Sequence, residues 1–375
     1  MRNIIALRRE LHKHPELSNK EFETSGRIAI FFQNLSPDQI IKLGSTGLAF
    51  VFNGKKSGKT VMFRAELDAL PITEANNLDY ASVHNGIAHA CGHDGHMAIL
   101  SGLAKKISAH PPRKGKVVLL FQPAEEVEQG AYDVVNHPDF VKIQPDYIFA
   151  LHNIPGVEKH KIIIKEGSFA AASKGLTVKL YGKTSHAAEP ENGINPAQAI
   201  SQIIQELHEL KNQKNQFEDL ILLTIIHIQL GEVAFGTSPG YAEIRITLRS
   251  FKNNDMDLLS SHTEQIIQRI AREENLKFTL KYSEVFPATV NDKECVNFIQ
   301  EAARENNLSM ESISKPFKWS EDFGYYTEKY KGGFFGLGAG INQAALHNPN
   351  YNFPDEIIST GINVFFSIYN KITCK

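Results

Sequence analysis

Residues 117–126 read VVLLFQPAEE. The run from Val117 to Phe121 has no polar face, so a strand there must be covered on both sides, as in a mostly parallel sheet flanked by helices. Directly after it come Gln122, Pro123 and two adjacent acids, Glu125 and Glu126. The same order recurs elsewhere. Val61–Phe63 is followed by Arg64, Ala65, Glu66, Leu67 and Asp68, and Tyr147–Leu151 is followed by His152 and Asn153. In open α/β sheets, ligands bind at the carboxyl ends of the strands. Separate strands thus deliver acid or imidazole to one edge, and fold class and candidate site are read together.

Working outward, Ile4–Leu17 has helical spacing. A helix is predicted from about Asp94 to Ala109, with Met97, Leu100, Leu103 and Ile107 on one face. From Lys174 the pattern changes. LTVKLYG alternates, with Leu176, Val178 and Leu180 on one side. Asn195-Pro196 opens a helix as N-cap and first-turn proline, with Ile200, Ile203, Ile204 and Leu207 as its buried stripe. The strands LILLTIIHIQL and YAEIRITLRSF follow, then a helix from about Met256 to Arg272, and KFTLKYS closes the set. The order β-α-β-β-α-β is a small α+β domain with one sheet and two helices on one face. GGFFGLGAG then reads as another buried strand, and a final helix after Pro354 carries Ile358, Ile362, Phe365 and Tyr369. The expected organisation is α/β: one mostly parallel domain built from 1–173 and 286–375, interrupted by the small α+β domain at 174–285.

A chain of 375 residues suits two domains, or one large domain with an insertion. Hydrophobic content of 42% and charged content of 22% are ordinary for a globular protein. A formal net charge of −2 removes any whole-chain electrostatic case for nucleic acid or an anionic membrane. No apolar run approaches the ~18–20 residues a membrane helix needs. The N-terminal stretch MRNIIALRREL lacks the apolar core of a signal peptide, so a cytoplasmic protein is expected. Cys91, Cys295 and Cys374 are an odd, sparse set that forms no disulfide framework. Cys91 is therefore a free thiol or a metal ligand.

Cys91 lies in AHACGHDGHM, residues 88–97. The i, i+2 spacing of Cys91 and His93 lets both face one centre from a loop, just before a helix whose N-terminal amides favour a thiolate. With Glu125, Glu126, His152 and the distant His347, these residues supply the imidazole, thiolate and carboxylate of a metal site. Two adjacent glutamates allow one to hold a metal while its neighbour stays free as a general base for water. Bland readings stand beside each: a Glu-Glu pair is often a solvated helix start, and His152 can be a satisfied strand-end histidine. His12 and His14 read as surface or helix-packing histidines. Two motifs are set aside. Gly236–Gly240 matches G-x-S-x-G, but Pro239 has no amide for an oxyanion and a strand follows instead of a helix. Gly336–Gly340 lacks the third glycine offset and the lysine of a phosphate loop. Both are read as turns.

Together, LRRELHKHPELSNKE, RAELDALPI, NGIAHACGHDGHMAIL, FQPAEE, ALHNIPG, GKTSHAAEPENGINPAQA, SEDFGYY and ALHNPNYNFPDE resemble the M20 metallopeptidase family in its amidohydrolase branch. That branch includes hippurate hydrolases, N-acetyldiaminopimelate deacetylases, other bacterial N-acyl-amino-acid amidohydrolases and plant indole-acetyl-amino-acid hydrolases. The resemblance runs nearly end to end. It implies a zinc-peptidase-like catalytic domain interrupted by a lid and dimerisation domain, hence a homodimer. It implies two divalent metal ions (zinc, manganese, cobalt or nickel) held by Cys91, His93, Glu126, His152 and His347, with Cys91 bridging. It makes Glu125 the general base, places Asp68, Asp94 and Glu66 behind the ligands, and has His186 reach an active site, its own or that of a partner subunit, to stabilise an oxyanion. Arg249 matches an arginine that meets the substrate carboxylate; a solvated strand arginine is the other reading. The implied reaction is hydrolysis of a small-molecule N-acyl amino acid. A dipeptidase on the same site and a catalytically silenced relative are the alternatives. Two departures bear on substrate class: Glu66 where the branch commonly has aspartate, and Gly236 where relatives often carry asparagine.

Overall fold

The computed structural model describes residues 1–374, apart from the side chain of Lys214. The chain divides into two compact units. The first takes Met1–Phe169, Thr289–Lys315 and the residues from Asp322 onward; the second takes Ala170–Ala288 and Pro316–Glu321.

The first unit is built on an eight-stranded sheet in the order Gln39–Leu43, Gly47–Asn53, Lys114–Gln122, Lys56–Glu66, Tyr147–Pro155, Lys331–Gly340, Ile162–Ile164, Met310–Ser312. From Lys114–Gln122 to Lys331–Gly340 all neighbours run parallel, and antiparallel pairings flank this centre. Val117–Gln122 is buried at every position, as a strand covered on both faces must be. The helices His93–Ala109 and Ile358–Thr373 pack on each other and on the central strands, and their core includes Met97, Leu100, Leu103, Ile362 and Phe365. Register aligns Glu66 with Gln122 and Gly336 with His152. Neighbouring parallel strands therefore end at one level, and their polar continuations emerge together.

The second unit has a four-stranded antiparallel sheet in the order Ile221–Leu230, Tyr241–Ser250, Ala172–Tyr181, Lys277–Phe286. Helices Ala197–Leu210 and Asn253–Glu273 pack on each other and on this sheet, enclosing Leu176, Val178, Leu180, Ile203, Ile244 and Ile267. The range 174–285 read from the sequence falls inside Ala170–Ala288. The returning segment Pro316–Glu321 carries no periodic signal; it is tied in by the Ala171 amide, which donates to the Trp319 carbonyl at 3.1 Å.

Some local expectations change. The first helix is Arg2–Lys13, and His14 at φ −125° and ψ 59° leaves the helical region, because Pro15 disfavours α conformation in the residue before it. The helix expected to open at Asn195-Pro196 starts at Ala197 with Pro196 rather than Asn195 at its N-cap, and the Asn195 Oδ1 accepts from the Ala197 amide at 2.9 Å just outside it. Gly336–Gly340 is not a turn but the end of the buried strand Lys331–Gly340. Its glycines serve close packing: a Cβ at Gly338 would stand 1.9 Å from the Glu158 carbonyl oxygen. Thr237–Ser238 inside the other glycine motif is likewise a short strand, paired with Ser185–His186. Among the described residues no helix is long and apolar enough to cross a membrane.

Candidate metal centre

His93 is the first residue of its helix, Cys91 lies in the preceding loop, and Glu125 and Glu126 follow the strand Lys114–Gln122. His152 lies within Tyr147–Pro155, and His347 sits on the loop after Lys331–Gly340 at a left-handed φ of 63°. The fold gathers their donor atoms. Cys91, His93 and His152 form one group with all donor atoms within 4.8 Å of one another; Cys91, Glu126 and His347 form a second, and His93, Glu125 and Glu126 a third. The Cys91 Sγ is 3.4 Å from His152 Nε2. The His93 Nε2 lies 3.9 Å from Glu125 and 3.8 Å from Glu126, and His347 Nε2 is 3.6 Å from Glu126. Cys91 belongs to two of these groups, so it stands where one sulfur can serve two centres.

Several buried partners aim these donors. His93 Nδ1 stands 2.9 Å from the Asp68 carbonyl oxygen, and His152 Nδ1 stands 2.9 Å from that of Asn153. Each carbonyl accepts the Nδ1 hydrogen, which turns the lone pair of Nε2 towards the cluster, the arrangement metal-binding histidines use. Asp68 also accepts from the Ser18 hydroxyl at 2.7 Å and the Glu126 amide at 2.9 Å. Glu66 does not touch the donors directly. It pairs with Arg64 and stands 2.7 Å from His96 Nδ1, while His96 Nε2 is 2.6 Å from Asn153 Oδ1. Asp94 faces away as well, bonding Arg8 at 2.8 Å and His12 at 2.9 Å. His12 is thus no surface histidine. It is buried between Asp94 and Glu74, the latter at 3.1 Å.

The electrostatics favour cations here. Burial, then the charges of Glu126 and Glu125, push the Cys91 thiol well above its ordinary range, so the helix N-terminus does not outweigh its acidic neighbours. Burial opposes charge on His93, but the Asp68 bond and the charges of Glu66 and Glu126 overcome it and pull the imidazole up to about 10. His152, buried and beside His96, falls to about 3 and is a neutral donor. The His93 Nε2 is buried without a hydrogen-bond partner among the described residues. An orphaned imidazole nitrogen, a thiol held protonated by burial and by its neighbouring carboxylates, and several carboxylates make a donor set that divalent ions fit. In that arrangement Cys91, His93, Glu126, His152 and His347 would hold two ions, while Glu125 stays beside them.

The other singled-out residues lie in the second unit. His186 is exposed, in the strand pair with Thr237, and its Nδ1 accepts from the Ala188 amide at 3.1 Å. One guanidinium nitrogen of Arg249 donates to the Lys318 carbonyl and to Ser320, each at 2.9 Å. Residues to which the sequence reading gave no role are His96, Asn153, Arg64 and Asp322. Arg64 donates to Gln122 at 2.9 Å and pairs with Asp322, whose carboxylate also accepts from Gln122 at 2.7 Å. The signal for His96 was present in the third histidine of AHACGHDGHM; nothing local marks Asp322. His89 of the same stretch is buried, neither ring nitrogen has a partner among the described residues, and burial lowers it to about 3.

Residues 62–371 match the family model described as peptidase family M20/M25/M40. A hippurate hydrolase from Campylobacter jejuni is 31% identical over 371 residues, covering 98% of this chain and 95% of that protein. An N-acetyldiaminopimelate deacetylase from Bacillus subtilis is 31% identical over 374 residues, covering 98% of each. Among solved structures, a dinuclear metal-binding peptidase from Bacillus subtilis superposes with a TM-score of 0.85 at 28% identity, covering 99% of this chain and 98% of that one.

Proposed function

The chain belongs to peptidase family M20/M25/M40, and from that premise we propose that it is a metal-dependent amidohydrolase cleaving the amide bond of N-acyl amino acids. The supporting observation is the convergence of Cys91, His93, Glu126, His152 and His347 with Glu125 beside them. Full-length relatives named as a hippurate hydrolase and a deacetylase point to the same substrate class. When bound, two divalent ions lower the pKa of water from about 15.7 towards about 7 and polarise the substrate carbonyl; zinc, manganese, cobalt and nickel suit the donors. Glu125 takes a proton from water as its oxygen attacks the amide carbon. It then gives that proton to the leaving nitrogen as the C–N bond breaks, releasing a carboxylic acid and a free amino acid. In this reading His186 donates to the oxyanion and Arg249 recognises the substrate carboxylate.

The test is a panel of hippurate, N-acetyl amino acids and dipeptides, run on protein stripped of metal and reloaded with each ion. Glu125→Gln is expected to keep two bound ions and to lose at least ~10²-fold in kcat, the scale of a general base. Near-native turnover by that variant removes Glu125 from its role. Dipeptides hydrolysed in preference to acyl amino acids would move the assignment to a dipeptidase.

The same reading has the protein act in the cytoplasm as a homodimer through the second unit. Ile221–Leu230 is an edge strand of its sheet. Ile226, Ile228 and Leu230 on it are exposed, and Val233 and Phe235 beyond it are fully so. Exposed apolar edges invite pairing with another chain.

A further inference from the structure

The candidate base sits on a turn that its own residues do not favour. Ala124, immediately before Glu125, has a φ of 53°, a left-handed conformation in which a β-carbon crowds the carbonyl. The turn is tight. The amide of Gly130 donates back to the Ala124 carbonyl at 3.1 Å, and a Cβ at Gly130 would lie 1.7 Å from the Pro123 carbonyl oxygen. Something outside the turn must hold it. The Ala124 amide donates to Glu21 Oε1 at 2.9 Å, and the Glu126 amide donates to Asp68 Oδ2 at 2.9 Å. Buried carboxylates thus grip the backbone on either side of Glu125. Glu21 comes from the segment before the helix Phe22–Phe32 and is fully buried. It is itself fixed by the Thr46 hydroxyl at 2.9 Å and the Asn19 amide at 2.9 Å.

We propose that Glu21 is a positioning residue: by accepting the Ala124 amide it holds residue 124 left-handed and so aims the Glu125 carboxylate. The catalytic consequence rests on Glu125 being the base; the backbone consequence does not. Glu126 has its own anchor in Asp68, so loss of Glu21 leaves metal binding intact and moves Glu125. Misplacement of a reacting group by about 1 Å costs on the order of 100-fold in rate.

The experiment compares Glu21→Ala, Glu21→Gln, Thr46→Val and the double variant Glu21→Ala with Ala124→Gly, all metal-loaded. Glu21→Ala should lose about 100-fold in kcat with KM and metal content unchanged. Glu21→Gln keeps an acceptor for the amide and should retain activity. Thr46→Val removes one of the two other bonds to the same carboxylate, leaves the Asn19 amide to fix it, and should lose far less than Glu21→Ala. Glycine at 124 adopts left-handed angles without help, so the double variant should regain part of the loss. A purely structural role predicts equal losses for Thr46→Val and Glu21→Ala and no rescue by glycine, and that result overturns the proposal. A crystal structure of Glu21→Ala is read independently of turnover: residue 124 should leave the left-handed region, and finding it unmoved with Glu125 in place also overturns it. If Glu21→Ala does not fold, Glu21→Met refills the volume and is read the same way. If the wild-type protein hydrolyses no N-acyl amino acid, the functional reading falls, and the conformation of residue 124 still decides the role of Glu21.

Discussion

His12, for which the sequence left a surface and a helix-packing reading open, is buried on its helix and carries a specific electrostatic role. It is enclosed by Asp94 on one ring nitrogen and Glu74 on the other, and both partners are acceptors. Burial disfavours the imidazolium, but the bonds to Asp94 and Glu74 outweigh it and raise the pKa above 6.5. A group raised on folding stabilises the fold fully below its unfolded value, and that contribution is lost as pH climbs through the folded one. The stability advantage of wild type over His12→Gln should therefore be greatest near pH 6 and shrink on going to pH 9. Urea unfolding of both proteins across that range measures it, and a gap that widens with pH contradicts the assignment. Glu66 makes a related point. Its side chain reaches both Arg64 and His96, and Arg64 holds the carboxyl well below its usual range despite burial.

At the level of elements, the strand Ile221–Leu230 carries the next prediction. One of its edges pairs with Tyr241–Ser250, and the other faces no strand of this chain among the described residues. Its outer half is exposed, including Ile228 at 41% and Leu230 at 40%. Native sheets seldom leave such an edge bare. If the proposed dimer forms there, Ile228→Lys together with Phe235→Glu should give a monomer in sedimentation equilibrium while the fold is kept. A wild-type protein that is monomeric at tens of micromolar would rule the interface out. The short strand Thr237–Ser238 lies just beyond and pairs with His186, so edge and histidine belong to one local structure.

Across the whole molecule, the candidate centre draws on segments far apart in the chain: the loop at 91–93, the turn at 125–126, the strand end at 152 and the loop at 347. A ligand that binds only the folded state stabilises it by about 2.7 kcal/mol when present at a hundred times its dissociation constant. Chelation should thus lower the thermal midpoint by a few degrees, and readdition of zinc, manganese, cobalt or nickel should restore it; an unchanged midpoint would mean no such ions hold these segments together. The parallel centre of the sheet, the long helices and the site edge were legible in the chain itself. Periodicity is a local property: the short apolar run Val117–Phe121 suits a covered strand, and polar residues placed after such strands emerge at their carboxyl ends. The donor types in the short stretches Cys91–His93 and Glu125–Glu126 were visible for the same reason. What took the tertiary structure was every partnership across long sequence distance: Asp322 against Arg64 and Gln122, His12 against Asp94, Glu21 under Ala124, and the six-residue return to the second unit. Those pairings depend on which buried charge finds which counter-charge once the layers are packed, and neither spacing nor propensity encodes that choice.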